Sequence, residues 1–134
     1  MKIEFHSVYT HFILTTFQRE RVIGVEIRDR LEKYITGIIR RQHSKLYAIY
    51  ANPDHVHFLV SRAPGMSEED LATIVADSSA RFINKNELVP GYFRWQQSAA
   101  AFSVSKADVD LVCKYIMNQP IHHQQTGYEK KKPQ

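Results

Sequence analysis

A chain of 134 residues that is 43% hydrophobic and 24% charged, with five Gly and five Pro, has the makeup of one globular domain around a single core. Eighteen Lys and Arg against fourteen Asp and Glu leave a formal charge of +4, which favours a polyanionic partner, nucleic acid first, over acidic proteins or free cations. The single cysteine excludes an intrachain disulfide framework and a cysteine-rich zinc site. No apolar run approaches the roughly 18 residues of a membrane span and the N-terminus lacks a signal-peptide pattern, so a cytoplasmic protein is expected.

Residues 5–17 alternate, with Val8, Phe12 and Leu14 on one face and Tyr9, His11 and Ile13 on the other, and predict a long strand. After Gly24, Ile27, Leu31, Tyr34, Ile35 and Ile38 recur at helical spacing with Arg28, Arg30, Lys33, Arg40 and Arg41 between them, an amphipathic helix ending near His43. Strands over 45–51 and 55–61 follow, joined by Asn52-Pro53-Asp54 into an antiparallel hairpin. Ser67-Glu68-Glu69-Asp70 resembles a capping box opening a second helix through Leu71, Ile74, Val75 and Phe82. Short strands are expected around 93–95 and 101–103. A further N-cap at Ser105-Lys106-Ala107-Asp108 starts a last helix over about 106–123, with Val109, Val112, Cys113 and Ile116 as its buried stripe. Cys113 reads as a small buried hydrophobe within that stripe rather than a nucleophile. Residues 1–126 then form one domain, and 127–134 a basic tail. The order matches an α+β fold, a ferredoxin-like or RRM-like split βαβ unit. In it the helices cover one face of an antiparallel sheet and leave the other face open to ligands.

On the strand over 55–61, Val56, Phe58 and Val60 belong against the helices, so His55 and His57 project together from the open face. Two imidazoles at this spacing can bind one metal ion, and the same pattern is equally that of a solvated pair on an exposed strand. On the last helix Tyr115 and Gln119 share a face, with His122 further along, a stripe that also suits an ordinary interfacial tyrosine. Arg19, Arg21, Arg28, Arg40, Arg41 and Lys45, with Lys130, Lys131 and Lys132, are available for phosphates or simply solvate the surface. Tyr92, Phe93 and Trp95 could stack on unpaired bases, and Phe93 and Trp95 are equally core or edge residues.

Pro53-Asp54-His55-Val56-His57, Ala101-Phe102-Ser103-Val104-Ser105, and Tyr115-Ile116 with Asn118-Gln119 and His122-His123 resemble, in order and spacing, the single-tyrosine HUH transposases of small bacterial insertion sequences (the IS200-like transposases) and their REP-associated relatives. The resemblance runs from the first strand to about His123. It implies that Tyr115 is the nucleophile, that His55, His57 and Gln119 hold a divalent metal ion, Mg²⁺ or Mn²⁺, and that the last helix is catalytic. It also implies a single-stranded DNA substrate beside a hairpin, joined through its 5′ end to the tyrosine. The residue types suit that chemistry. Three neutral ligands leave a cation its full charge to polarise a phosphoryl oxygen. A tyrosine, of ordinary pKa about 10, forms a phosphodiester that a second 3′-hydroxyl can attack and reseal. Imidazole and amide ligands suit Mn²⁺ better than Mg²⁺, which cells supply more freely.

Insertion-sequence members of that family act as homodimers in which one subunit's tyrosine helix completes the other's histidine site, whereas REP-associated relatives can be monomeric. The short chain and the Ser/Ala-rich segment before the last helix favour the exchanged homodimer. Residues 96–101, Gln-Gln-Ser-Ala-Ala-Ala, depart from the glycines usual in relatives, which predicts a loop of different shape. Tyr128, in the tail, is a second candidate nucleophile that ranks below Tyr115. Two other readings compete: a non-catalytic single-stranded nucleic-acid-binding module of RRM-like fold, and a metal-dependent phosphodiesterase that activates water.

Overall fold

A computed structural model describes residues 1–4 and 6–119. Tyr9–Thr15 forms β1, Val25–Arg41 α1, Lys45–Ala51 β2, His55–Ser61 β3, Glu68–Lys85 α2, Ala100–Val104 β4 and Val109–Met117 α3, with 3-10 turns at Phe17–Arg19 and Lys106–Asp108. The strands lie in the order β2-β3-β1-β4, every neighbouring pair antiparallel, so the two halves of the chain interleave as in a ferredoxin-like fold. Among the described residues no helix is long and apolar enough to cross a membrane.

One face of the sheet is sealed by α1 and α2. Ile27, Leu31, Ile35, Ile38 and Ile39 of α1 and Leu71, Val75 and Ile83 of α2 pack on Phe12, Leu14, Val56, Phe58 and Val60. The helices are as the sequence predicts, for local reasons. Ser67 accepts a hydrogen bond from the Asp70 amide at 3.0 Å, and acidic residues fill the first turn of α2. In α1, Arg40 and Arg41 occupy the last turn, where the carbonyl ends of the helix attract cations.

Three expectations need correction. β1 stops at Thr15, because Gln18 and Arg19 both take positive φ, 54° and 55°, and turn the chain out of the strand, while Val8 lies exposed before it begins. The 93–95 segment forms no strand: Trp95 makes a single isolated bridge to Thr16, one residue past the end of β1. The Asn84 side chain takes the place of a ladder partner, accepting from the Phe93 amide at 2.7 Å and donating to its carbonyl at 2.9 Å. The last helix begins at Val109 and ends at Met117: the Ser105 hydroxyl donates to the Asp108 carboxylate at 3.1 Å instead of capping a backbone amide, residues 106–108 form a 3-10 turn, and residues 120–123 of the expected span lie outside the described residues.

The second face is not open along its length. α3 lies on β2 and β3, and Ile116, fully buried, meets Ala48 and Leu59 inside a ring of Tyr9, Tyr47, Tyr50, Val104, Val109, Val112 and Cys113. This second, smaller core carries the tyrosine helix.

Candidate active site

The turn that introduces the histidines is pinned from two sides. The Thr16 amide donates to the Asp54 carbonyl at 2.9 Å, and the Ile23 amide to the Pro53 carbonyl at 3.0 Å. Asn52 closes the hairpin by donating to the His55 carbonyl at 2.7 Å. The start of β3 is therefore held against the end of β1.

From that frame His55 and His57 reach the α3 face together, their ring centroids 4.9 Å apart. Each Nδ1 is engaged. His55 Nδ1 lies 2.6 Å from the Asp54 carboxylate, while Asn52 Nδ2 approaches His55 Nε2 at 3.3 Å. An amide N–H pointing at Nε2 marks that nitrogen as the one bearing the lone pair, with the proton on Nδ1. The hydrogen bond from His55 holds the Asp54 carboxyl below the usual carboxylate range, against the opposing effect of its burial; Arg19, 3.5 Å away, and Arg21 add to the lowering. His57, 5% exposed, has its Nδ1 2.8 Å from Nε2 of His11 on β1. Burial pushes the His11 pKa down from its ordinary value.

α3 brings the remaining groups. The ring of Tyr115 stands edge-on to His57, centroids 6.0 Å apart, and the residue is 45% exposed. Gln119, buried just past the end of α3, donates from Nε2 to the Tyr115 carbonyl at 3.1 Å, and Oε1 is the atom of its amide with the chemistry to meet a cation. Among the described residues no group of three His, Cys, Asp or Glu side chains could hold a metal ion. A metal here would need an amide as third ligand. The donor types fit, two imidazoles oriented through their Nδ1 atoms and one amide oxygen, and a cation at His55 Nε2 would displace the Asn52 amide that lies 3.3 Å from it.

Other expected residues fall into groups. Arg19 and Arg21 lie at the histidine end of the β2–β3 hairpin, beside Asp54. Lys45 pairs with Ser61 at the opposite end, next to the exposed Arg40 and Arg41 that close α1. Arg28 sits 4.6 Å from the centroid of Tyr50, which is the register partner of His57. Trp95 is a correction. It is 7% exposed, packs edge-on against Phe93 and donates from Nε1 to Ser79 Oγ at 3.0 Å, so it belongs to the core and offers no ring face for a base to stack on. Tyr92 is exposed. Residues 96–101 contain no positive φ, so alanine is accommodated there without strain. Cys113 is half-buried with Sγ 3.8 Å from the Tyr47 carbonyl, and burial raises its pKa, as suits a packing residue. His122, His123, Tyr128 and Lys130 to Lys132 lie outside the described residues.

Sequence reasoning gave no role to Asp54, although it stands inside the quoted motif, or to His11. Alternation put His11 on the Tyr9 and Ile13 face, but only the pairing of β1 with β3 shows that this is the face of His57.

Comparison with known proteins adds an independent line. The family described as IS200-like transposases matches residues 4–119. The ISDra2 transposase TnpA of Deinococcus radiodurans is 26% identical over 114 residues, 81% of each chain. A crystal structure of a protein described as a transposase from Deinococcus radiodurans R1 superposes with a TM-score of 0.70 at 26% identity, covering 89% of this chain and 98% of that one. A REP-associated tyrosine transposase bound to a REP hairpin shares the fold, with a TM-score of 0.65 at 15% identity over 92% of this chain and 72% of that one.

Proposed function

The chain belongs to the IS200-like transposase family, and from that premise we propose that it cleaves and rejoins single-stranded DNA through a covalent 5′-phosphotyrosine on Tyr115. The observation that carries the reading is the placing of Tyr115 against His57, with Gln119 just past the end of α3 and hydrogen-bonded back to the Tyr115 carbonyl.

In the first step the Tyr115 oxygen attacks a backbone phosphorus. The new bond is phosphorus to phenolic oxygen, the bond to the 3′-oxygen breaks, and the departing strand end leaves as a 3′-hydroxyl once protonated. In the second step a 3′-hydroxyl from another end attacks the phosphotyrosine, restoring a phosphodiester and the free phenol. The number of phosphodiester bonds is conserved, so no nucleotide cofactor is required. Tyr115 is accessible enough to meet a strand, while the packing of Ile116 beneath it fixes the direction from which it comes.

His55, His57 and Gln119 would hold a divalent cation, Mg²⁺ or Mn²⁺, whose charge, when it is bound, polarises the phosphoryl oxygen. Asp54 orients His55 through Nδ1. Arg19 and Arg21 would meet phosphates beside the histidines, and Arg40, Arg41 and Lys45 phosphates farther along the molecule. A DNA hairpin is the partner proposed, in keeping with the REP-associated relative bound to one.

We also propose a homodimer in which α3 is exchanged. In the single chain α3 docks on its own sheet. A symmetric exchange would rebuild the same contacts between subunits, so the local geometry of Tyr115 and His57 is shared by both arrangements.

The test is covalent capture of single-stranded DNA carrying a hairpin, read as a denaturation-resistant adduct. Tyr115→Phe should form none while binding DNA nearly as well as wild type, and Tyr128→Phe should form it normally. An adduct that survives Tyr115→Phe and vanishes in Tyr128→Phe would overturn the assignment.

A further inference from the structure

Of all the contacts around the histidine pair, the least expected joins two imidazoles from different strands. His11 is on β1 and His57 on β3. Their strands are paired with His11 opposite Leu59 and Ile13 opposite His57, so the two side chains are diagonal neighbours on the α3 face. Nε2 of His11 lies 2.8 Å from Nδ1 of His57, the ring centroids are 5.0 Å apart, and Phe102 of β4 flanks His11 at 6.1 Å.

A hydrogen bond between two neutral imidazoles contains one proton, and its position decides what the far side of each ring can do. If His11 Nε2 donates, His57 carries its own proton on Nε2 and has no lone pair there for a cation. If His57 Nδ1 donates, His11 accepts with Nε2 and His57 presents a lone pair at Nε2. We infer that His11 is a positioning residue that accepts the Nδ1 proton of His57, fixing the tautomer and ring orientation in which His57 Nε2 is offered to the divalent cation. It does for His57 what Asp54 does for His55. The inference rests on the metal-ligand reading of His55, His57 and Gln119 given above.

Asp54 and His11 differ as acceptors. A carboxylate cannot donate to its histidine, so Asp54 at Nδ1, with the Asn52 amide at Nε2, sets the His55 tautomer in one sense. An imidazole can do either, so the His57 tautomer is set jointly by His11 and whatever occupies the other side of His57. The two ligands are therefore supported unequally, and His57 is the one whose readiness depends on a neutral partner.

The replacement that isolates this role is His11→Phe, which keeps a planar ring but removes the acceptor. His11→Gln is the conservative rescue, because a glutamine amide places its terminal oxygen close to where Nε2 of histidine lies. Mn²⁺ affinity of the full chain without DNA, measured by calorimetry, is the first readout, and ring ¹⁵N shifts of His57 are the second. Removing such an outer partner typically weakens metal binding about 10–100-fold. The expectation is a weakening in that range for His11→Phe, recovery of most of it in His11→Gln, and a shift of His57 toward the Nε2-protonated tautomer in the phenylalanine variant. If His11→Phe does not fold, His11→Asn, whose shorter amide falls short of His57, replaces it in the comparison with His11→Gln. Unchanged Mn²⁺ affinity and an unchanged His57 tautomer, in a protein whose affinity does depend on His57, would overturn the role of His11 alone. A wild-type chain whose Mn²⁺ binding is no different from that of His57→Ala would overturn the metal-site reading and this inference with it.

Discussion

Replacing Ile116 with alanine should uncouple the tyrosine from the histidines without dismantling the sheet. Ile116 is the fully buried side chain of α3, and its neighbours Ala48 and Leu59 belong to the core on the second face, separate from the one that α1 and α2 make on the first. Of the other apolar residues of α3, Val109, Val112 and Cys113 are only half-buried and add less, and Leu111 and Met117 are exposed. Truncating a buried isoleucine to alanine costs about 2–5 kcal/mol, and about 1.4 kcal/mol is a factor of ten, so even the low end moves the docked helix about 30-fold toward the undocked state. Because docking rests mainly on this residue, the loss should fall on α3 and not on the whole domain. The assay is the rate of covalent adduct formation on hairpin-bearing single-stranded DNA, set beside amide hydrogen exchange along the chain. Adduct formation should slow, by no more than the factor by which the docking equilibrium moves, and exchange should rise in α3 while β1 and β3 stay protected. A variant that forms adduct at the wild-type rate would refute the claim that this small core positions Tyr115.

His57→Ala should abolish cleavage and the thermal stabilisation given by Mn²⁺ yet retain salt-sensitive DNA binding, since the phosphate contacts lie elsewhere. Cleavage at the normal rate in excess chelator would contradict it. Mixing Tyr115→Phe with His57→Ala subunits should restore cleavage if α3 is exchanged in a dimer, whereas verified mixed dimers as inactive as their parents would show that each tyrosine serves its own histidines. Burial is the leading influence on Glu32 and raises its pKa despite the Ala51 amide, which donates to it at 2.9 Å, and the nearby Arg28. The folded protein thus holds this proton more tightly than the unfolded chain, and the charged form lowers stability at neutral pH. That loss is relieved as the pH falls through the folded-state pKa toward the ordinary glutamate value. The urea midpoint of Glu32→Gln relative to wild type should accordingly move against the variant on acidification, and movement the other way would show that Arg28 outweighs burial.

Features written in neighbouring residues were legible in the sequence. The bounds of β2 and β3 are as expected because strand alternation and the Asn52-Pro53-Asp54 turn are local signals. The Ser67 cap was equally plain. What depended on distant partners was not. The environment of Trp95 is set by Ser79, 16 residues away and one strand-helix layer apart, so stacking platform and core residue looked alike. Nothing in Gln18 or Arg19 announces a left-handed backbone, so the alternation of residues 5–17 runs past the point where β1 ends. The members of the candidate site were legible, since His55 and His57 share a strand and Tyr115 and Gln119 are four residues apart, although α3 ends at Met117 before Gln119. The link from His11 to His57 spans 46 residues and needs the strand register, which no periodicity within one strand contains.

The placement of side chains on the α3 face also weighs between the transposase reading and the RRM-like binding module. Such a module stacks bases on aromatic residues of its central strands. Here the central strands are β3 and β1, and toward α3 they present His55, His57 and Leu59, and Tyr9, His11 and Ile13. Tyr9 is engaged edge-on with Tyr47, their centroids 5.4 Å apart, and Leu59 is fully buried beneath Ile116. The platform an RRM would offer is thus occupied by a helix at one end and by imidazoles at the other. Phe102, 54% exposed on the edge strand β4, is the aromatic that a strand crossing this face could still use, and it lies beside His11. Stacking at Phe102 would therefore fall at the margin of the histidine site, beside His11, and not on the central strands that such a binding module uses.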